Sequence, residues 1–425
     1  MHFRVELVFQ DETQDDVPSI YLTSDGRVLL QGRSVSEDER AHFGVPPGSD
    51  LISVDVVSSR RSRKCCRRAA KTRFEGETPM FLKNSWYVAA WDHEIGVKPL
   101  GRRIVDEPVV LFRDAAGKVI ALEDKCPHRR VPLSMGKVVE GDLLQCHYHG
   151  LRFDRGGKCV RIPGQEAIPE AARVKAYPVV ERYHWIWVWM GDPARADPET
   201  IPDYHWLDSS DWGAKGTYIH VKANWQLIVD NLLDLTHLAF VHESTIGNAA
   251  VAENAEVRVK RTPGGVLVTR WMIDKPAPPT YVKAGGFTGN VDRWQFIDFL
   301  PPAFLRLSVG ATPTGTGAPE GKFVDGINMR NLNAITPETE TTSHYFWAQA
   351  HDFDVKNEKL TDMIFEQVKT AFLEDKEVFE AQQRVIDADA SDSQVDIHAD
   401  AGGIQARRIL ARLYDEEQSA RQAAE

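Results

Sequence analysis

Cysteine is scarce in this chain, with five in 425 residues at positions 65, 66, 126, 146 and 159. So few cannot staple a disulfide-rich secreted scaffold, and in a reducing compartment thiols serve as ligands or stand idle rather than pair. Long apolar runs are missing too: no stretch approaches the roughly 20 consecutive apolar residues that span a bilayer. The opening MHFRVELVFQDETQDD has neither the basic n-region nor the apolar h-region of a secretory signal. A cytoplasmic protein without a membrane partner is the expectation. Nor is there a surplus of basic charge. Lys and Arg total 51 against 62 Asp and Glu, a formal net charge of −11, which argues against nucleic acid as a partner because phosphate binding draws on clustered cations. No G-x-G-x-x-G follows a strand-like run, so no dinucleotide site is expected.

What is present is an ordinary globular composition, 42% hydrophobic and 27% charged, on a chain longer than the roughly 250 to 300 residues at which single cores stop growing. Two or three domains are expected. Residues 1 to about 58 read as a small unit, with alternating FRVELVF, a TSDGRV turn before VLL, and helix-start character in SVSEDERAHFGV. A basic, apolar-poor segment, SSRRSRKCCRRAAKTRFEGETP, follows. It reads as a solvated linker, with a nucleic-acid patch as the alternative, and Cys65 and Cys66 have no matching pair nearby to complete a zinc site. The expected divisions are 1–79 as extension and linker, 80–195 as an all-β domain, and 196–425 as an α+β domain. Short runs rich in Val, Ile, Trp and Tyr between turn residues (PVVLFRD, YHWIWVWMG) carry the second. The third combines long helices near 224–242 and 356–387 with strand-like AEVRVKR, GGVLVTRWMI, DRWQFIDFL and FLRLSVGA.

Within the all-β stretch, Cys126 and His128 form C-x-H, and Cys146 and His149 form C-x2-H after residues 129–145. A zinc finger groups like ligands, so this order fits it poorly. A [2Fe–2S] centre with two thiolates on one iron and two imidazoles on the other needs one of each from two loops, which is the order found, and the neutral imidazoles raise its potential into the range of an electron relay. His147, between the second pair, is expected to be exposed. Cys159 and the RIPG turn are expected to cover the cluster.

A second constellation interrupts the apolar ANWQLIVDNLLDLTHLAFVHESTIG. Asp230, Asp234 and His237 are spaced i, i+4 and i+7 and read as one polar stripe, with Asn231 beside Asp234. Leaving those groups buried without partners costs about 1–3 kcal/mol each, which a metal or a partner chain would relieve. His242, five residues after His237, points about 140° away on an ideal helix, so both meet one metal only if the helix ends or distorts between them. Core histidines satisfied by carbonyls are the alternative. On the late helix Asp375 shares the face of Ile364, Val368, Phe372 and Phe379, whereas Glu374 points elsewhere. A carboxylate there asks for a cation, either iron in a two-histidine, one-carboxylate site or an arginine at a seam.

Taken together, FLKNSWYVAAW, CPHR, CHYHGL, ANWQLIVDNLLDLTHLAFVH, VDRWQ and FLEDKEVFEAQQ resemble the oxygenase component of Rieske non-haem iron oxygenases, the vanillate O-demethylase-like group in particular. The resemblance covers nearly everything after the linker. It implies an all-β Rieske domain followed by an α+β helix-grip catalytic domain, with Cys126, His128, Cys146 and His149 on the cluster and His237, His242 and Asp375 on a mononuclear Fe(II). It further implies a head-to-tail homotrimer in which Asp234 links an iron-ligand histidine to a cluster histidine of the neighbouring chain, with Asn231 near the iron. The implied reaction uses O2 and electrons from a separate flavin- and ferredoxin-type reductase to demethylate a methoxylated aromatic acid such as vanillate, releasing formaldehyde. Ring hydroxylation, N-demethylation and an electron carrier with an iron-free ligand-binding domain are the alternatives. Arg306 and Asn333 are candidate contacts for a substrate carboxylate. The first 79 residues depart from the resemblance, as a fused module or as a start assigned upstream of Met80.

Overall fold

A computed structural model describes residues 81–96, 98–253, 255–389 and 394–424, together with the backbone of five short strands before them. The chain forms two compact units, Met1–Glu75 and Gly76–Glu425. In the first, Val5–Gln10, Ser19–Thr23 and Val28–Gln31 make an antiparallel sheet where alternation and the turn led us to expect strands. The expected helix start after Ser34, the linker with Cys65 and Cys66, and Met80 lie outside the described residues.

The second unit begins with three small antiparallel sheets. One joins Lys137–Val139, Leu143–Gln145, Arg152–Phe153 and Cys159–Arg161, and another joins Leu100–Ile104, Glu107–Arg113, Val119–Glu123 and Ala176–Tyr177. The third, Val179–Arg182, Trp185–Trp189 and Trp86–Trp91, explains a run that ordinary amphipathic alternation does not. WIWVW is buried at every position because both of its faces are covered: Ile186 and Val188 pack with Tyr87 and Leu111, while Trp185, Trp187 and Trp189 pack with Trp86, Tyr204 and Phe346. A strand covered on both sides loses the period-two pattern and reads as a continuous apolar run.

Phe346 belongs to a seven-stranded antiparallel sheet, ordered Gly213–Val221, Ser343–His351, Ile327–Pro337, Phe304–Pro313, Val291–Leu300, Val266–Lys275, Glu256–Arg261. Successive side chains point to opposite faces, and parity sorts the four strands from Val291 to His351, while on Val266–Lys275 the even Val266, Val268 and Met272 join the helix core. Odd-numbered Ile297, Leu305, Leu307, Ala311, Met329 and Trp347 join the core shared with the helices, whereas even-numbered Phe304, Leu332, Ala334, Phe346 and Ala348 join the tryptophan cluster. The helices on the odd face are Trp225–Leu233, Glu358–Ala388 and Ala401–Ala424. The late helix starts where the Asn357 side chain accepts the Leu360 N–H at 3.2 Å, a side-chain cap for an otherwise orphaned donor. Asp230, expected in a polar stripe with the site residues, instead pairs with Arg407 and ties the first of these helices to the last.

His344 bonds the two sheet systems together. Its Nε2 donates to the Arg103 carbonyl at 3.0 Å and its Nδ1 accepts from the Tyr218 hydroxyl at 2.9 Å. Burial, against the pull of Glu338, pushes its pKa down to about 4. A histidine held neutral in the fold contributes fully above its ordinary value near 6.5 and loses that contribution as pH falls toward 4. Thermal unfolding should therefore show stability falling between pH 6.5 and pH 4, with this group supplying on the order of 3 kcal/mol of the loss. His344→Gln, which keeps a donor and an acceptor, should flatten that slope. An unchanged slope would exclude His344 as its source.

Candidate metal centres and active-site cavity

The two loops carrying cysteine and histidine are copies of one hydrogen-bonded turn. In each, the cysteine N–H donates to the carbonyl five residues on, Cys126 to Val131 at 2.9 Å and Cys146 to Leu151 at 2.8 Å. The residue four on donates back to the cysteine carbonyl, Arg130 at 2.8 Å and Gly150 at 3.2 Å. That residue is left-handed in both loops, with φ 59° at Arg130 and 73° at Gly150. Outside glycine such a conformation costs about 1–2 kcal/mol and persists only where the surroundings enforce it. A Cβ on Gly150 would stand 3.1 Å from Pro163 Cγ, so the RIPG turn closes over the second loop.

The turn buries each sulfur and leaves each imidazole at the tip. Cys126 and Cys146 are buried, His128 and His149 are exposed, and the two imidazole rings lie 4.6 Å apart. Burial pushes the Cys126 thiol up, with Cys146 as its hydrogen-bond neighbour. A thiol in that setting ionises readily only against a metal. Two adjacent thiols on one side and two imidazoles on the other fit the ligand demand of a Rieske [2Fe–2S] cluster. His147 is exposed, as expected, and Cys159 is buried with its sulfur turned to the Arg161 carbonyl at 3.4 Å.

The second constellation assembles because the helix that was expected to run from 224 to 242 stops at Leu233. Asp234 adopts φ −120°, ψ 103° and its carboxylate caps the next turn, accepting the Thr236 N–H and hydroxyl, both at 2.9 Å. A 3₁₀ turn, Leu235–His237, and a short helix, Leu238–Val241, follow. The change of direction corrects the straight-stripe reading and swings His237 and His242 toward one point, with ring centroids 5.3 Å apart.

Asp375, 4% exposed on the late helix, meets them there. One donor atom from each of the three lies within 4.8 Å of the others. His237 Nδ1 donates to the Asp234 carbonyl at 2.7 Å, leaving Nε2 3.5 Å from Asp375 Oδ1. His242 Nδ1 donates to Glu374 Oε2 at 2.7 Å, leaving Nε2 3.0 Å from the same Asp375 oxygen. That Nε2 is buried and, despite the short distance, lacks hydrogen-bond geometry to any partner. Asn231 stands beside it all, donating to Asp375 Oδ1 at 3.2 Å. Burial lowers both histidines. It prevails at His237, whereas at His242 the Asp375 and Glu374 carboxylates outweigh it and hold the pKa above its ordinary value. Two imidazoles with their Nδ1 hydrogens tied back and one carboxylate make a donor set suited to a divalent iron with open positions.

The triad opens on a cavity between the helices and the sheet, the kind of concave, largely apolar place in which small molecules bind. Its walls are mainly apolar, from Leu232, Leu235 and Phe372 on the helix side to Leu307, Val309 and Met329 on the sheet. Neither expected carboxylate contact reaches it. Arg306 is even-numbered, so it faces away and pairs with Asp298 across the hairpin. Asn333 has the right parity but sits one layer deeper, with its amide spent on Asn331 Oδ1 at 2.8 Å and its oxygen on the Tyr345 hydroxyl at 2.7 Å. Asn331 lines the cavity in its place, together with Arg293 and Gln295. Arg293 and Gln295 were not singled out in the sequence, and Glu374 was named only as pointing away from the face of Asp375. The alternation of VDRWQFIDFL could have placed the first two on one face with Ile297, and only the break at Asp234 brings His242 to Glu374.

Residues 85–178 match the Rieske [2Fe-2S] domain, and residues 221–416 match the vanillate O-demethylase oxygenase C-terminal domain. The chain is 48% identical over 342 residues to a toluene-4-sulfonate monooxygenase system iron-sulfur subunit of Comamonas testosteroni, covering 80% of this chain and 98% of that one. It is 39% identical to a vanillate O-demethylase oxygenase subunit of Pseudomonas sp. (strain HR199 / DSM 7063), covering 81% and 98%. Among solved structures, dicamba monooxygenase bound to dicamba superposes with a TM-score of 0.73 at 34% identity, over 80% of this chain and 99% of that one.

Glu374→Leu should weaken the triad's hold on a divalent metal by roughly 10- to 100-fold, the usual effect of removing the acceptor that orients a ligating histidine. Glu374→Gln, which keeps an acceptor, should lose less. Titration of metal-depleted protein with Fe(II) or Co(II) measures both, and wild-type affinity in the leucine variant would show that Glu374 does not orient His242.

Proposed function

The chain belongs to the Rieske non-haem iron oxygenases of the vanillate O-demethylase oxygenase family, and from that premise we propose that it O-demethylates a methoxylated aromatic acid. It is an oxygenase with a [2Fe–2S] cluster and a non-haem iron. The proposed cluster ligands are Cys126, His128, Cys146 and His149, and the proposed iron ligands are His237, His242 and Asp375. The observation that carries the reading is the buried triad opening on a mainly apolar cavity. A chain that served only as an electron carrier would have no use for either.

When bound, the cluster passes electrons singly and the iron activates dioxygen. Overall, one oxygen atom enters a C–H bond of the O-methyl group, and two electrons and two protons reduce the other to water. The hemiacetal then collapses: the C–O bond to the ring oxygen breaks with its electron pair going to that oxygen, the hydroxyl proton ends on it, and formaldehyde and a phenol separate. The electrons come from a separate flavin- and ferredoxin-type reductase, in keeping with the absence of a dinucleotide motif. Relatives are named as a system subunit and an oxygenase component.

Within the protein, Leu232, Leu235, Leu307 and Val309 exclude water around the ring, and Glu374 and the Asp234 carbonyl hold the imidazoles in the tautomer that presents Nε2. The Asp234 carboxylate does not touch His237 within one chain. Beyond Thr236 it has Arg270 at 3.5 Å, and it is left to meet His128 or His149 of a neighbour in a head-to-tail homotrimer. Apolar side chains exposed near the two places support such a contact: Tyr148 and Met135, 62% and 59% exposed, and Phe240, 78% exposed.

The 48% identity to a toluene-4-sulfonate monooxygenase subunit favours a second reading. Toluene-4-sulfonate has no O-methyl group, so the same centre can insert oxygen into a C–H bond without ether cleavage. Product analysis with a surrogate reductase separates the readings. Formaldehyde and a phenol mark demethylation, and a hydroxylated product without formaldehyde marks the second. His237→Ala should lower iron from about three to about two per chain while keeping the visible spectrum of the cluster, and full iron retention with full activity would sink the ligand assignment. Asp234→Asn should retain both metals with turnover lower by roughly 100-fold or more. Normal turnover would remove the bridge.

A further inference from the structure

Resting on the cavity as the substrate chamber, we propose that Arg293 is the receptor for an anionic group, a carboxylate or a sulfonate, on the aromatic substrate. Arg293 lines the cavity and is 2% exposed. Its Nη2 donates to the Ile246 carbonyl at 3.0 Å, and its guanidinium carbon lies 4.7 Å from the centre of the Tyr281 ring. Those contacts fix the plane of the guanidinium and leave Nε and Nη1 buried without hydrogen-bond partners. No carboxylate stands within ion-pair distance of it among the described residues.

A buried cation without a counter-ion is strongly unfavourable and is retained where something supplies the missing charge. Arg270 shows the contrast: equally buried, it has Asp234 at 3.5 Å and donates to the Val251 carbonyl at 2.7 Å. The cross-strand partners of Arg293, Met272 and Ala311, are apolar, and Leu307, Val309 and Met329 elsewhere on the sheet floor suit a ring rather than a charge. The unpaired N–H groups of Nε and Nη1 lie on different edges of the guanidinium, each beside Nη2, and either can donate to an oxygen of a carboxylate or a sulfonate. Gln295, two residues on along the same strand face, keeps its Oε1 unpartnered beside it. With a net charge of −11 the chain gives an anion no general attraction, so affinity for one must come from a local group such as this.

The test measures binding by holoenzyme, without turnover, of three probes: para-methoxybenzoate, toluene-para-sulfonate and neutral para-methoxybenzamide. Arg293→Met should weaken the anions by roughly 10- to 100-fold, as expected for a lost charged hydrogen-bond pair, and change the amide by less than about threefold. Arg293→Lys should recover part of the loss. Which anion responds more assigns the group to carboxylate or sulfonate. The ligand-free melting temperature of Arg293→Met should equal or exceed wild type, because an unpaired charge has been removed. The proposal is overturned if the wild type binds neither anion, if Arg293→Met binds them as tightly as wild type, or if it melts lower and loses anions and amide alike. Anion binding that depends on Arg293 without formaldehyde release would sink demethylation and leave the receptor standing. Formaldehyde release unaffected by Arg293→Met would do the reverse.

Discussion

The catalytic half depends on one capping interaction. Asp234 ends a buried helix by turning its carboxylate onto the N–H and hydroxyl of Thr236. A straight helix would aim His237 and His242 in different directions. The break lets one chain segment present both to Asp375 while the Asp234 carbonyl takes the Nδ1 hydrogen of His237. A single residue thus terminates the helix, sets the tautomer of one histidine, and keeps its carboxylate half-buried.

The sheet supplies the second constraint. On the four strands from Val291 to His351 the even residues face the tryptophan cluster and the odd residues face the helices, so each is committed to one environment. The seven sheet residues that line the cavity are all odd-numbered; Leu307, Val309 and Met329 are apolar, and Arg293, Gln295, Asn331 and Gln349 are polar. Asn331 and Gln349 satisfy one another, whereas Arg293 and Gln295 keep unsatisfied polar atoms. Unpaired polar groups that line a cavity are places where a ligand can supply the missing partner.

Much of this was legible in the sequence. The order Cys–His then Cys–His distinguishes a Rieske cluster from a zinc finger before any coordinates, and Asp375 stood out as a carboxylate on an apolar helical face. What could not be read followed from geometry that periodicity does not carry. Past a helix break, spacing no longer sets direction, so Asp230 fell into a stripe with Asp234 and His237 when it belongs to Arg407. Glu374 was set aside because it points off the Asp375 face, yet its side chain reaches His242 from the flank. Strand alternation gives parity but not which parity faces the pocket, so Arg306 was named and Arg293 was not. Asn333 had the right parity and the wrong depth.

The claim that binds these parts together is that two metal sites, distant in sequence, work as one centre across chains. The most direct measurement is a crystal structure of the purified holoenzyme with anomalous data at the iron edge. It should show an iron pair among Cys126, His128, Cys146 and His149, and a single iron among His237, His242 and Asp375. The Asp234 carboxylate should lie within hydrogen-bonding distance of His128 or His149 of a neighbouring chain. An assembly with both sites filled and Asp234 far from any neighbour's cluster would contradict the coupling, and the absence of iron from the triad would contradict the centre itself.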